Sequence, residues 1–198
     1  MITTHPTRRR TAIALLAAGA LALAGCSTGS SVDSETASSP ASLETYGLAG
    51  LDAPEIIDTL DAMPVADRPD DLIASVHPTE LVLTSGGENL ATLPTQEDGF
   101  YLSVAPYENR THSCHFHSLT TCLGEMPGEQ VHVTITNNAT GDTLLDEPRT
   151  TYDNGFLGLW LPRDISATLT IDHDGRTATA PISTGDQDLT CLTTMQLA

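Results

Sequence analysis

Lysine is missing altogether from this chain of 198 residues, and eight arginines face 26 aspartates and glutamates, so the formal net charge is −18. Such a surface repels nucleic acid and anionic lipid headgroups, which excludes phosphate-binding functions. Acidity of this kind also serves solubility in exported proteins, so by itself it names no cation. Past Leu23 no apolar run is long enough to cross a membrane. The close Cys-x(2–4)-Cys pairs of structural zinc sites are absent too. No internal repeat is present. What remains is sparse in reactive groups, with four cysteines and seven histidines.

The start of the chain sets the compartment. Arg8-Arg9-Arg10 precede the apolar run Thr11 to Leu23, which leads into Ala24-Gly25-Cys26. A charged start, an apolar stretch too short to span a bilayer and small residues before a cysteine describe a bacterial lipoprotein signal, residues 1–25, with Cys26 lipidated after cleavage. The alternative is an ordinary cleaved signal with Cys26 incidental. Cleavage removes three arginines and no acid, leaving five arginines against 26 acids and a net charge of −21. The expectation is a protein anchored by lipid alone to the outer face of the cell membrane, extracytoplasmic or periplasmic. Residues 26–48 read as a tether, because Ser27 to about Ser42 is mostly Ser, Thr, Ala and Gly and cannot bury enough apolar area to fold.

Residues 49–79 read as a small helical part. Asp52-Ala53-Pro54-Glu55 has the form of a helix start with a capping box, Ile56, Ile57, Leu60 and Met63 share a face, and Pro64 stops the helix. A second short helix is expected from Asp67 through Leu72, Ile73 and Val76. Residues 80–198 are β-rich: Glu80 to Thr84 and Asn89 to Leu93 flank Ser85-Gly86-Gly87-Glu88 as a hairpin. Short runs follow from Phe100, Gln130, Thr143, Phe156, Ala167, Arg176 and Leu189, with turns at Asn138 to Gly141 and His173-Asp174-Gly175. The fold class is α+β and mainly β, an antiparallel β-sandwich or barrel-like C-terminal domain with a small helical N-terminal part. Asp172-His173-Asp174-Gly175 lacks the later acids of a calcium loop and reads as a hairpin turn.

The chemistry concentrates in His112-Ser113-Cys114-His115-Phe116-His117-Ser118-Leu119-Thr120-Thr121-Cys122. With Cys26 lipidated, Cys114, Cys122 and Cys191 remain, an odd number for an oxidising compartment. Cys114 and Cys122 would lie about 12 Å apart on a helix and about 26 Å apart on a strand, too far to cooperate. If they meet, the chain turns back at Ser118 to Thr121, and Cys191 arrives by tertiary contact. Composition and spacing leave three readings open: a structural disulfide beside surface histidines, a metal site, or a cysteine nucleophile with a histidine base. Cysteine with histidine suits copper or zinc, and copper the better of the two, since thiolates hold Cu(I) and thiols reduce Cu(II) while forming a disulfide. His77, His132 and His173 lie far from this cluster in sequence and read as structural.

These residues resemble a known family. Phe100 to Glu125, Asn154 to Ile165 and Ile182 to Leu197 are similar to the CueP family of bacterial periplasmic copper-binding proteins. The likeness is carried by His-x-Cys-x-x-His-Ser-Leu-x-Thr-Cys-x-Gly-Glu and a late Thr-Cys-Leu-Thr-Thr, and runs from about Leu51 to the C-terminus. It implies copper binding and copper tolerance, reduction of Cu(II) to Cu(I) by thiols matching Cys114, Cys122 and Cys191, and onward transfer of copper. It further implies His112 and His117 as ligands or their neighbours; His115 is a further candidate outside the motif. Stoichiometric binding and reduction, rather than enzymatic turnover, is expected. The resemblance brings a thioredoxin-like thiol reductase and a copper-dependent superoxide dismutase, or another copper acceptor, as partners, and leaves zinc as the lesser occupant. The rival is a disulfide-stapled β-sandwich interaction module that binds metal incidentally.

Overall fold

The computed structural model describes residues 43–198. The signal, Cys26 and Ser27 to Ser42 lie outside the described residues. Helix α1, Ala53–Asp61, begins as its sequence requires: the Asp52 carboxylate accepts from the Glu55 N–H at 3.0 Å, and Glu55 accepts from the Asp52 N–H at 3.0 Å. This satisfies two of the amides that a helix start leaves without partners. Its buried stripe is Ala53, Ile56, Ile57, Leu60 and Asp61. Among the described residues no helix is long and apolar enough to cross a membrane.

The second helix is not there. A 3₁₀ turn, Val65–Asp67, leads instead to strand β1, Leu72–Val76. Leu72, Ala74 and Val76 are buried while Ile73 is 48% exposed, a period of two that a short apolar run does not distinguish from a helical face. Residues 43–48, expected within the tether, also depart from that reading: Leu43 and Leu48 are buried in the core around α1.

The remaining strands are β2 (Glu80–Ser85), β3 (Glu88–Pro94), β4 (Gly99–Tyr107), β5 (His117–Ser118), β6 (Gln130–Asn137), β7 (Thr143–Thr150), β8 (Leu157–Pro162), β9 (Ser166–His173), β10 (Arg176–Ser183) and β11 (Cys191–Gln196). They form sheets in the orders β3-β2-β1-β5, β10-β9-β6-β7 and β11-β4-β8, with no closed barrel. The hairpin expected at Ser85 to Glu88 joins β2 and β3, and Asp174-Gly175, both at positive φ, turn β9 into β10. Every pair is antiparallel except β4 with β11, which run parallel. The reason is topological. β10 belongs to the opposite sheet, so the chain crosses over before β11, and no tight hairpin dictates its direction.

Strand β4 is the spine, buried on both faces. Phe100, Leu102 and Val104 enter the core between the second and third sheets, with Leu157, Leu159, Val133, Ile135, Leu169 and Ile171. Tyr101 joins the core formed by α1 and the first sheet, and Ala105 joins Phe156 and Cys191 in a small third cluster. Alternation along one strand thus carries the sandwich on one side and the site on the other.

The loop after Cys122 is held by a backbone contact that only glycine permits. Gly124 N–H donates to Asn154 O at 2.6 Å, and a Cβ on Gly155, whose φ is +77°, would sit 2.8 Å from the Gly124 carbonyl. Gly128 has a similar φ of +70° with open space around it. Gly128→Ala should therefore cost about 1 kcal/mol from backbone strain alone. Gly155→Ala should cost several times more, and a thermal melt showing equal losses would mean that the Gly124 contact relaxes.

Candidate metal centre

Four strands converge on one point. β11 pairs with β4 so that Cys191 lies opposite Ser103, and β5 pairs with β1 so that His117 lies opposite Val76. Thr190 locks these together: its hydroxyl accepts from the His117 N–H at 3.0 Å and donates to the Val76 carbonyl, while the Thr190 and Cys191 amides both donate to His115 O. The turn expected at Ser118 to Thr121 is present. Thr121 and Cys122 amides donate to Ser118 O, and the Ser118 N–H points at Cys122 Sγ at 3.4 Å.

Cys114 and Cys191 are joined by a disulfide with Cα atoms 5.6 Å apart, and Cys122 is the free thiol. Cys122 Sγ lies 3.8 Å from Cys114 Sγ, and His117 Nδ1 lies 3.8 Å from Cys191 Sγ. Two sets of side chains have ligand atoms within 4.8 Å of one another, His112 with Cys114 and Cys122, and His117 with Cys122 and Cys191. Phe156 separates the two imidazoles, with His117 at 4.6 Å and His112 at 6.1 Å between ring centroids. The ring of His115 belongs to neither set; it packs on Phe116 at 4.6 Å. His77 stacks on the other contact of Phe116 at 4.2 Å, so it lies nearer the cluster than its sequence position implies. His132 pairs with Asp146, and His173 accompanies the β9–β10 turn.

The residue that the sequence reading missed is Asp61, the last of α1. It is fully buried, and its carboxylate accepts from His117 Nε2 at 3.0 Å, Tyr101 at 2.6 Å, Ser103 at 3.2 Å and Asn154 at 2.8 Å. A carboxylate on the apolar stripe of a helix, four residues after Ile57, was the available signal. Burial alone would raise the Asp61 pKa, but the His117 hydrogen bond and charge outweigh it and hold the carboxyl below its usual range. Burial likewise opposes charge on His117, yet Asp61 and Cys122 raise it to about 9. Burial pushes the Cys122 thiol up, and His117 more than offsets this, so its pKa falls below the ordinary value. Arg68 adds a buried cation: its Nη1 donates to Cys122 O at 3.1 Å, while Nε and Nη2 are buried without a hydrogen-bond partner.

This is the donor set of a thiophilic metal. Asp61 holding Nε2–H leaves Nδ1 facing the sulfurs, the carboxylate–histidine arrangement that fixes a ligating imidazole and raises its basicity. Sulfur and imidazole donors fit copper, with zinc the other occupant that such donors accept.

A family model described as Periplasmic copper-binding protein CueP matches residues 55–196. Among solved structures, the crystal structure of S.CueP is similar at 43% identity with a TM-score of 0.75, over 80% of this chain and 96% of that one. No curated protein matches.

The buried pair carries a signed pH dependence. The raised His117 pKa contributes stability that is complete below about 6.5 and lost as pH rises through about 9; the lowered Asp61 pKa contributes above its unfolded value of 3.8 and is lost as pH falls through the folded value. Asp61→Asn should cost about 3–5 kcal/mol near pH 6, as expected for breaking a buried pair. Denaturant unfolding of both proteins from pH 5 to 10 checks it: the deficit should shrink toward pH 9, and a deficit independent of pH would disprove the pairing.

Proposed function

The chain belongs to the CueP family of periplasmic copper-binding proteins, and from that premise we propose that it captures copper outside the cytoplasm, reduces Cu(II) and retains Cu(I). The observation that supports this most is the convergence of three cysteine sulfurs with His112 and His117, in two sets that both contain Cys122. A lipidated Cys26 would hold the domain at the membrane.

The redox step balances within the chain. Two Cu(II) ions each take one electron, the Cys114 and Cys191 thiols lose two protons and two electrons and become the disulfide, and two Cu(I) result. The disulfide-linked form is then the spent state. Renewal needs an outside dithiol, which becomes a disulfide in its turn; a thioredoxin-like reductase has that chemistry. A copper-dependent superoxide dismutase, or another acceptor with sulfur or imidazole donors, would take the Cu(I) onward. Reduction is stoichiometric without that renewal, so the role is binding and carriage rather than turnover.

One observation favours a second reading: the same disulfide staples the loop before β5 to the last strand, as an interaction module would require. A single titration separates the two. Fully reduced Cys26→Ser protein, free of oxygen, is titrated with Cu(II) while its paramagnetic signal and the thiol count are followed together. Loss of the signal with one thiol consumed per copper supports reduction, and Cys122→Ser should weaken Cu(I) retention by at least roughly tenfold. A persistent Cu(II) signal with all thiols intact would assign the cluster to structure and leave the interaction module standing.

A further inference from the structure

The two sets of donors differ in everything except the sulfur they share. His112 is exposed and Cys114 half-exposed; His117 and Cys191 are 0% and 1% exposed. A shallow groove of about 340 Å³, lined by Arg110, Thr111, His112, Leu123, Gly124 and Glu125, runs to the outer set. His117, by contrast, is fully buried, with Phe156 packed against its ring. The outer imidazole is also loosely held. Among the described residues no hydrogen bond fixes the ring nitrogens of His112, whereas Asp61 fixes the ring of His117 and leaves Nδ1 toward Cys191. An exposed imidazole without a hydrogen-bond anchor suits capture, and an anchored, basic one suits retention.

We infer that copper occupies two successive positions joined by Cys122: an outer one of His112, Cys114 and Cys122 that loads from solvent, and an inner one of His117, Cys122 and Cys191 that retains the ion. The inference rests on the copper reading above and adds to it a direction of travel. Three donors around one ion at metal–sulfur and metal–nitrogen distances of about 2.0–2.3 Å lie about 3.5–4 Å from one another. The observed spacings of up to 4.8 Å, with Cys122 at 3.8 Å from Cys114, need only a small closure in the reduced protein.

The step itself is ligand exchange with no change of oxidation state. The bonds from Cu(I) to His112 and Cys114 break, bonds to His117 Nδ1 and Cys191 form, and the Cys122 bond persists, so the ion is never released. The protons displaced from His117 and Cys191 pass to Cys114 and to solvent. The oxidised form fits the same scheme. The Cys114–Cys191 disulfide takes one sulfur from each set, so oxidation leaves each position its histidine and the shared Cys122 thiol.

The test supplies Cu(I) directly, as its acetonitrile complex, to reduced protein without oxygen, and measures loading by stopped flow and release to a colorimetric Cu(I) chelator. His112→Ala and Cys114→Ser should slow loading by roughly tenfold or more while release stays within about twofold of the unaltered protein. His117→Gln and Cys191→Ser should load normally and release at least about tenfold faster. If Cys114→Ser and Cys191→Ser change loading and release alike, one three-sulfur site holds the metal and the relay is wrong, although the copper reading survives. If the unaltered protein surrenders Cu(I) as fast as buffer does, the copper reading fails with it. His112 is exposed, so His112→Ala decides the matter even if a buried variant fails to fold: normal loading with faster release overturns the relay.

Discussion

The buried contact between Asp61 and His117 is the constraint around which the site is arranged. Two charged groups removed from water are costly unless their hydrogen bonds are made inside. Here the carboxylate takes four donors from three places: β5 supplies His117, β4 supplies Tyr101 and Ser103, and the loop before β8 supplies Asn154, while α1 carries the acid itself. No one of these segments could supply the network alone. The pair thereby ties the helical end of the chain to the spine strand and to the cysteine loop, and it orients the one imidazole nitrogen that faces sulfur. Packing brings these elements near one another; the polar network selects their register.

Much of this was legible in advance where local chemistry decided the outcome. Asp52 and Glu55 declared the start of α1, Ser85 to Glu88 and His173 to Gly175 declared their turns, and a meeting of Cys114 with Cys122 would need the reversal found at Ser118. The failures came where long-range contact decided. Leu72 to Val76 became a strand because β2 and β5 offered it edges, and five residues are too few for periodicity to tell the difference. β11 runs parallel to β4 because of a crossover that leaves no mark at Leu189 to Met195. Asp61 escaped notice since an acid near a helix end is ordinary, although its place on the apolar stripe, four residues after Ile57, set it apart.

The strong negative charge takes on a narrower meaning with the site in view. Acidic side chains crowd the surface, yet the cations that matter are placed inside, with Arg68 buried beside Cys122 and His117 charged against Asp61. A cluster of thiolates holding Cu(I) carries net negative charge, and in a buried location it needs compensation nearby. Arg68 has two buried nitrogens without hydrogen-bond partners and lies close enough to Cys122 and Asp61 for their charges to be felt.

The parallel pairing of β11 with β4 also bears on when the protein becomes what it is. Cys191 stands in the last strand, opposite Ser103 in a strand whose synthesis finished long before. The sulfurs, the imidazoles and the acid that positions them can be complete only after β11 has been made and has inserted beside β4. Contacts so distant in sequence form slowly. A chain that lacks β11 holds some of the donors and none of the finished geometry, so the donor cluster is a property of the completed fold.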